Sequence, residues 1–306
     1  MSETDNIKDL FNKGSENTEG KTESGKRISE YTGGGDRKVF FYGDAMNDGN
    51  INDIVDDTIP YVVILVGFPQ YGKSTFVSSL YHAVMTTGAI GKYKFVDSDT
   101  ILGFERRAYV RNEELRIKKR LDRTPIYADY FLSLLFENTL TGKKVKLILS
   151  DRSGEDYLEY GKYQTTIDKD NALRYARHIL FFLDAEVAAG EGFLDMQSSL
   201  GLLLLRMNKY GVFSDKKCID VVFNKIDLIN DKVREAYSTN KDEIVQIIKK
   251  ATAVNKVQEL ESLHTPINDN CNKFFEYLLD SCEQPVAMTT EVKEKIDWVG
   301  KKLKTV

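Results

Sequence analysis

The chain has 306 residues, of which 42% are hydrophobic, and a formal net charge of −4. This size fits one large or two ordinary globular domains, and the acidic balance argues against nucleic-acid binding through bulk electrostatics. The three cysteines are odd in number and lack CxxC spacing, which excludes a disulfide framework and a structural zinc site as working hypotheses. No stretch reaches ~18 apolar residues and no signal peptide is evident, so we expect a cytoplasmic protein without a membrane span.

Residues 1–58 are mostly polar and form a distinct amino-terminal segment. Residues 1–36 consist largely of Gly, Ser, Thr, Glu and Lys, which cannot bury enough apolar surface to offset the entropy of ordering, so this stretch is expected to be disordered. Residues 38–42 are apolar enough to add an edge strand. The globular domain is therefore expected to span residues 59–306.

Residues 61–66 are an unbroken apolar run, which is typical of a strand buried on both faces of a parallel sheet. Gly67, four further residues and then Gly72-Lys73-Ser74 follow it directly, and this spacing predicts a phosphate-binding loop before a helix. Lys73 would contact the β- and γ-phosphates, and the Ser74 hydroxyl would bind Mg²⁺. The remaining loop positions expected to line the nucleotide are Gln70, Tyr71 and Thr75.

The rest of the chain alternates apolar strands with helical patterns, which predicts a three-layer, mostly parallel α/β sheet. Residues 74–85 and 191–207 are expected to be helical, and 228–283 mostly helical, the latter as an insertion before the last strand. A second insertion is expected at 88–123, a basic region that ends just before a hairpin. The predicted strands are 93–96, part of 126–140, 145–150, 178–183, 218–223 and 285–288, with a closing helix at 292–303.

Two short motifs follow predicted strands, so they should lie at the same sheet edge as the phosphate-binding loop. Asp151-Arg152-Ser153-Gly154 has a DxxG pattern, in which the carboxylate supports Mg²⁺ through water and the Gly154 N–H can bond the γ-phosphate. Asn224-Lys225-Ile226-Asp227 has an NKxD pattern, in which Asp227 accepts two hydrogen bonds from guanine that adenine does not offer. Lys225 would lie across the base, and Asn224 would tie this loop to the phosphate-binding loop.

With these motifs in this order, residues 59–306 resemble a P-loop GTPase of the translation-factor and Ras type. The run 99–106 and residues 151–155 also resemble the bacterial double-GTPase family of conflict and defence systems. The resemblance implies a molecular switch that hydrolyses GTP to GDP with Mg²⁺ and that works with a protein effector or a second GTPase. A homodimer is a further alternative, and no nucleic-acid partner is expected.

Three features of the resemblance leave alternatives open. The switch I threonine that binds Mg²⁺ is assigned to Thr124, with Thr100 as the runner-up, and 88–123 is then an enlarged switch I region. Arg123 is the first candidate for a catalytic arginine supplied in cis, ahead of Arg106, Arg107, Arg111 and Arg152. The Ser-Ala-type loop after the last strand is assigned to Thr289-Thr290.

Glu155 stands where Ras-like enzymes have the glutamine that orients the attacking water. A carboxylate can orient water, but its charge is unfavourable beside a γ-phosphate, so efficient intrinsic hydrolysis is in doubt. Pro69 also stands where small GTPases often have glycine. A GTP-dependent binding module without hydrolysis is therefore the alternative function, whereas an ATP-using enzyme would require the NKxD pattern to be accidental.

Overall fold

The computed structural model describes residues 29–32, 36–39, 43–47, 58, 60–109, 130–163, 167, 170, 172–173, 176–214, 216–253, 257–262 and 269–283. Its strands are β1 (Ser29–Thr32), β2 (Asp36–Val39), β3 (Pro60–Val66), β4 (Ala89–Ile90), β5 (Tyr93–Asp97), β6 (Tyr130–Asn138), β7 (Lys144–Asp151), β8 (His178–Asp184), β9 (Cys218–Asn224) and β10 (Gln258–Glu261). Its helices are α1 (Lys73–Thr87), α2 (Ile101–Tyr109), α3 (Gly154–Lys162), α4 (Ala185–Ala189), α5 (Phe193–Lys209), α6 (Arg234–Thr252) and α7 (Asp269–Glu283), with a 3₁₀ turn at Ile226–Leu228.

Eight strands form one sheet in the order β10-β9-β8-β3-β7-β6-β5-β4. The pairs β10–β9, β9–β8, β8–β3 and β3–β7 are parallel, whereas β6, β5 and β4 continue the sheet antiparallel to their neighbours. The carboxyl ends of the five parallel strands therefore lie along one edge. This arrangement confirms the predicted mostly parallel α/β fold, and it gives the loops after those strands a common location.

Helices cover both faces of the sheet because its central strands are apolar on both sides, with every residue of β8 buried. One face is covered by α1, α2 and α7, and the expected apolar stripe of α1, made of Phe76, Leu80 and Val84, is buried there. The other face is covered by α3, α5 and α6. Both apolar layers pack on β3, and this strand carries the phosphate-binding loop.

The amino-terminal segment contributes to the fold at residues 43–47. Met46 is 1% exposed and exchanges two main-chain hydrogen bonds with Phe131, at 2.9 and 2.8 Å. The strand expected at 38–42 is found at 36–39, and it pairs with β1 in a separate two-stranded ribbon rather than with the main sheet. The remaining residues of 1–42 lie outside the described part of the chain.

The carboxyl-terminal region is mostly helical, as expected, but it also contains a strand that the sequence analysis missed. β10 lies within 228–283, is preceded by α6 and pairs with β9 at the sheet edge. Its sequence, Gln-Glu-Leu-Glu, has a single large apolar residue, so periodicity gave no strand signal. The strand expected at 285–288, the helix at 292–303 and Thr289-Thr290 lie outside the described residues. Among the helices of the described ranges, none has the length and apolar character needed to cross a bilayer.

Candidate functional site

The phosphate-binding loop has the backbone of an anion cradle. Gln70 and Gly72 both have positive φ, at 67° and 92°, so the chain curls as it enters α1. Gly67 approaches the neighbouring strand so closely that a Cβ there would lie 2.7 Å from the Phe182 carbonyl oxygen. Gly72 caps α1 without a side-chain hydrogen bond, and the first turn carries no acidic residue. The first N–H groups of α1 are thus suited to phosphate oxygens.

Lys73 is folded back over this loop. Its Nζ donates hydrogen bonds to the carbonyl oxygens of Gly67, at 2.6 Å, and Phe68, at 3.3 Å, and lies 5.7 Å from the centre of the Tyr157 ring. Burial lowers the pKa of Lys73 to about 8, an effect that the carboxylate of Asp151 partly opposes. An arriving phosphate would favour the charged ammonium, so the site holds a cation that an anion would stabilise.

Ser74 and Asp151 form the candidate metal site. The Ser74 Oγ donates a hydrogen bond of 3.1 Å to Asp151 Oδ1, which joins the start of α1 to the end of β7. Asp151 is 1% exposed, and its other oxygen accepts a hydrogen bond from Arg107 Nε. A hydroxyl and a carboxylate side by side are oxygen donors of the kind that Mg²⁺ prefers, so the residues present fit the predicted ion.

Gly154 brings the start of α3 against the phosphate-binding loop. A Cβ at this position would lie 2.6 Å from Pro69 Cα and similarly close to other main-chain atoms of the loop. Only glycine therefore permits this packing. The next residue, Glu155, accepts a hydrogen bond from the Ser153 hydroxyl, which holds its carboxylate near the beginning of α3.

The NKxD segment contacts the phosphate-binding loop through Asn224. This residue ends β9, is 6% exposed, and its Nδ2 donates a hydrogen bond of 3.2 Å to the Tyr71 carbonyl oxygen. Lys225 has a positive φ of 65° and forms an ion pair with Asp184 at the end of β8. Asp227 lies in the exposed 3₁₀ turn that follows. Asn224 therefore ties the NKxD segment to the phosphate-binding loop.

Two residues near this segment were missed from the sequence. Ser262 follows β10, and its main chain bonds the NKxD region twice: Ser262 N to Phe223 O at 2.9 Å and Ile226 N to Ser262 O at 3.2 Å. The loop after the last described strand thus begins at Ser262, whereas Thr289-Thr290, to which the Ser-Ala-type loop was assigned, lie outside the described residues. Asp184 was also missed, although an acidic residue directly after five apolar residues of a predicted strand was a usable signal.

Of the remaining candidate site residues, some lie at the phosphate-binding edge of the sheet and others do not. Tyr71 supplies the carbonyl that Asn224 bonds, and the Thr75 carbonyl accepts a hydrogen bond from Ser79 inside α1. Thr100 is completely buried and bonded to the main chain of Ser133 in the middle of β6, so the structure does not bring this alternative to the phosphate-binding loop. Thr124, Arg123 and Arg111 lie outside the described residues.

Of the other candidate arginines, only Arg107 reaches the site within the described part of the chain. Arg106 pairs with Asp44 on the surface, and Arg152 is buried in an ion pair with Asp170. Arg107 instead pairs with Asp151. From the sequence, Arg107 could not be distinguished from its neighbours as a candidate, because a run of basic residues does not indicate which side chain faces the sheet edge.

Comparisons with solved structures find distant likenesses. Translation elongation factor SelB from Methanococcus maripaludis, in its apo form, has 12% identity and a TM-score of 0.42, and the match covers 77% of this chain and 38% of that chain. The Ski7 GTPase-like domain of S. cerevisiae, bound to GTP, has 11% identity and a TM-score of 0.43, with 76% of this chain and 52% of that chain covered. The chain thus spans about half of these structures or less. A search of the curated proteins finds no match.

The family comparison is more extensive. A model described as Double-GTPase 2 matches residues 61–275, which is more than two thirds of the chain. The matched range contains the phosphate-binding loop, the DxxG segment, the NKxD segment and the newly found loop at Ser262. The chain therefore belongs to the Double-GTPase 2 family of P-loop GTPases.

Proposed function

We propose that the protein binds GTP together with Mg²⁺, hydrolyses it to GDP and rearranges its switch segments with the nucleotide state. The observation that carries this proposal is the meeting of three separate motifs at one sheet edge. Ser74 and Asp151 are 3.1 Å apart there, and Asn224 bonds the phosphate-binding loop at 3.2 Å. An accidental NKxD pattern would have no reason to be tied to that loop.

The positions of the residues support the following roles. Lys73 and the first N–H groups of α1 hold the phosphates. Ser74 binds the ion directly, and Asp151 supports the ion through water. When bound, Mg²⁺ would neutralise charge on the β- and γ-phosphate oxygens. Asp227 selects guanine by accepting hydrogen bonds from its N1–H and N2–H groups, and Lys225 lies along the base.

Two further roles are proposed for residues outside the described ranges. Thr124 is the switch I ligand of Mg²⁺, and Arg123 stabilises the charge that develops during phosphoryl transfer. Unaffected hydrolysis by Thr124→Ala would refute the first assignment. Unchanged turnover by Arg123→Ala would refute the second, whereas lost turnover with retained nucleotide affinity would support it.

A second candidate function is a GTP-dependent binding module that does not hydrolyse the nucleotide. The observation that favours it is Glu155, whose carboxylate is held by Ser153 at the position of the water-orienting residue. A fixed negative charge beside the γ-phosphate would oppose catalysis. In this case nucleotide binding alone would control docking of a partner.

The test is GTP turnover by the purified chain with Mg²⁺, measured at low and high protein concentration beside Asp227→Ala. Turnover that disappears in the variant at low GTP supports the enzyme. Tight GTP binding without turnover favours the binding module, and binding of ATP in competition with GTP would refute both. A rise in turnover per molecule with concentration would indicate activation by a second copy, as expected if a double-GTPase of a conflict system works in pairs.

A further inference from the structure

Arg107 in the last turn of α2 is bound to the candidate metal ligand. Its Nε donates to Asp151 Oδ2, its Nη1 donates to the Gly103 carbonyl oxygen at 2.9 Å, and its guanidinium lies 5.6 Å from the centre of the Tyr130 ring. The Arg107 side chain is 15% exposed and that of Asp151 is 1% exposed. These three contacts hold the guanidinium in place, so the ion pair with Asp151 is a well-defined part of the site.

Both carboxylate oxygens of Asp151 are engaged, one by Ser74 Oγ and the other by Arg107. An ion held by the Ser74 hydroxyl would add a divalent positive charge on the same buried carboxylate. Two cations that share one anion repel each other, and the burial of Asp151 limits the screening of this repulsion by solvent. We propose that Arg107 and Mg²⁺ compete for Asp151, so that occupation of the metal site loosens the last turn of α2. This inference rests on the proposed function, since it requires the ion to arrive with the nucleotide.

α2 is anchored differently at its two ends. Just before it, the Thr100 Oγ1 accepts a hydrogen bond of 2.8 Å from the Ser133 N–H, and Asp99 forms a buried ion pair of 2.9 Å with Lys146. Neither contact involves the metal site. The carboxyl-terminal turn is tied to the sheet edge through Arg107. Weakening that ion pair should therefore let the end of the helix move about a fixed start.

The segment 43–47 lies against this helix and would respond to it. A Cβ on Gly103 would lie 2.6 Å from the Ala45 main-chain nitrogen, so the two backbones are in direct contact. Arg106 pairs with Asp44 on the same side of the helix. Metal occupancy would thus change the packing of residues 43–47, which connect to the amino-terminal part of the chain.

The first experiment measures release of a fluorescent GDP analogue against Mg²⁺ concentration for wild type and Arg107→Gln. Coupling free energies between two sites typically correspond to about 5–150-fold changes in affinity, so the Mg²⁺ concentration giving half of the effect should fall by about fivefold or more in Arg107→Gln. Arg106→Gln, one residue away, is the matched control and should behave as wild type. Arg107→Lys retains the charge and should lie closer to wild type than the glutamine variant.

An unchanged or increased half-effect concentration in a folded Arg107→Gln protein would overturn the inference, because Arg107 would then be neutral or helpful to the ion. Thermal unfolding of each variant establishes that it is folded. A wild type that binds no guanine nucleotide would overturn the proposed function, and this inference with it. Mg²⁺-dependent release that is the same in all variants would overturn the inference alone.

The second experiment follows amide hydrogen exchange in the GDP-bound protein with and without Mg²⁺. Residues 106–109, in the last turn of α2, and residues 43–47 should exchange faster when Mg²⁺ is added to wild type, whereas the start of α2 should not change. In Arg107→Gln they should exchange fast in both conditions, because the competing ion pair is absent. Exchange in wild type that does not respond to Mg²⁺, or that slows, would contradict the competition.

Discussion

The contact between Gly72 and Asn224 gives the most direct test of how the two motifs are joined. Gly72 has a φ of 92°, and a Cβ there would lie 3.1 Å from Asn224 Cγ and closer still to its Nδ2. Gly72→Ala should therefore displace the Asn224 amide from the Tyr71 carbonyl that it bonds at 3.2 Å. Asn224→Ala removes the same hydrogen bond by another route.

The magnitudes can be worked from these contacts. A left-handed backbone costs a non-glycine residue about 1–2 kcal/mol, and the lost hydrogen bond with a partly buried carbonyl left unpaired costs about 1–2 kcal/mol. Gly72→Ala should thus lower the free energy of unfolding by about 2–4 kcal/mol, and Asn224→Ala by about 1–2 kcal/mol. In the double variant the hydrogen bond is lost only once, so the backbone cost of Gly72→Ala is the only addition to the loss caused by Asn224→Ala. The double variant should therefore lose the same free energy of unfolding as Gly72→Ala alone.

Urea unfolding of the nucleotide-free protein measures these free energies, and GDP titration measures the parallel loss of affinity. Ser79→Ala, within α1, is a control for a general change in this helix. Additive losses in the double variant would refute the reasoning, since they would mean that the methyl group introduced at position 72 and the Asn224 side chain do not share one contact. A wild-type affinity for GDP in Gly72→Ala would contradict the proposed link between the motifs.

Three further predictions concern the charges of the site. Burial lowers the pKa of Lys73 to about 8 and bound phosphate favours its charged form, so GDP binding weakens as the pH rises through about 8 and takes up a proton above that pH. Titration calorimetry in buffers of different ionisation enthalpy measures this uptake, and an affinity that does not change with pH would contradict it. Glu155→Gln removes a negative charge beside the γ-phosphate and should raise phosphate release several-fold with unchanged GDP affinity; slower release would show that the carboxylate assists the water. Asp184→Asn keeps the acceptor for the first amides of α4 but loses the ion pair with Lys225. It should weaken GDP binding by about 1 kcal/mol with little loss of stability, and Asp184→Ala should also destabilise the fold.

Local sequence was sufficient to predict those elements whose determinants are neighbours in the chain. The apolar run before Gly67 predicted a buried strand, and the glycine spacing with Lys73 and Ser74 predicted both the loop and the start of α1. The NKxD segment was similarly complete within four residues. For these parts the sequence determined the proposed nucleotide-binding edge, because the determinants are adjacent in the chain.

Only the tertiary structure determined which residues pair when they are distant in the sequence. β10 is a strand because β9 supplies a partner for its hydrogen bonds, since its polar residues carry no periodicity of their own. Ser262 reaches the NKxD region for the same reason. Arg106 and Arg107 are neighbours in α2, and their side chains leave the helix in different directions. The packing of α2 on the rest of the domain therefore decides that Arg107 pairs with Asp151 and Arg106 with Asp44. Composition ranks such residues alike, and long-range packing distinguishes them.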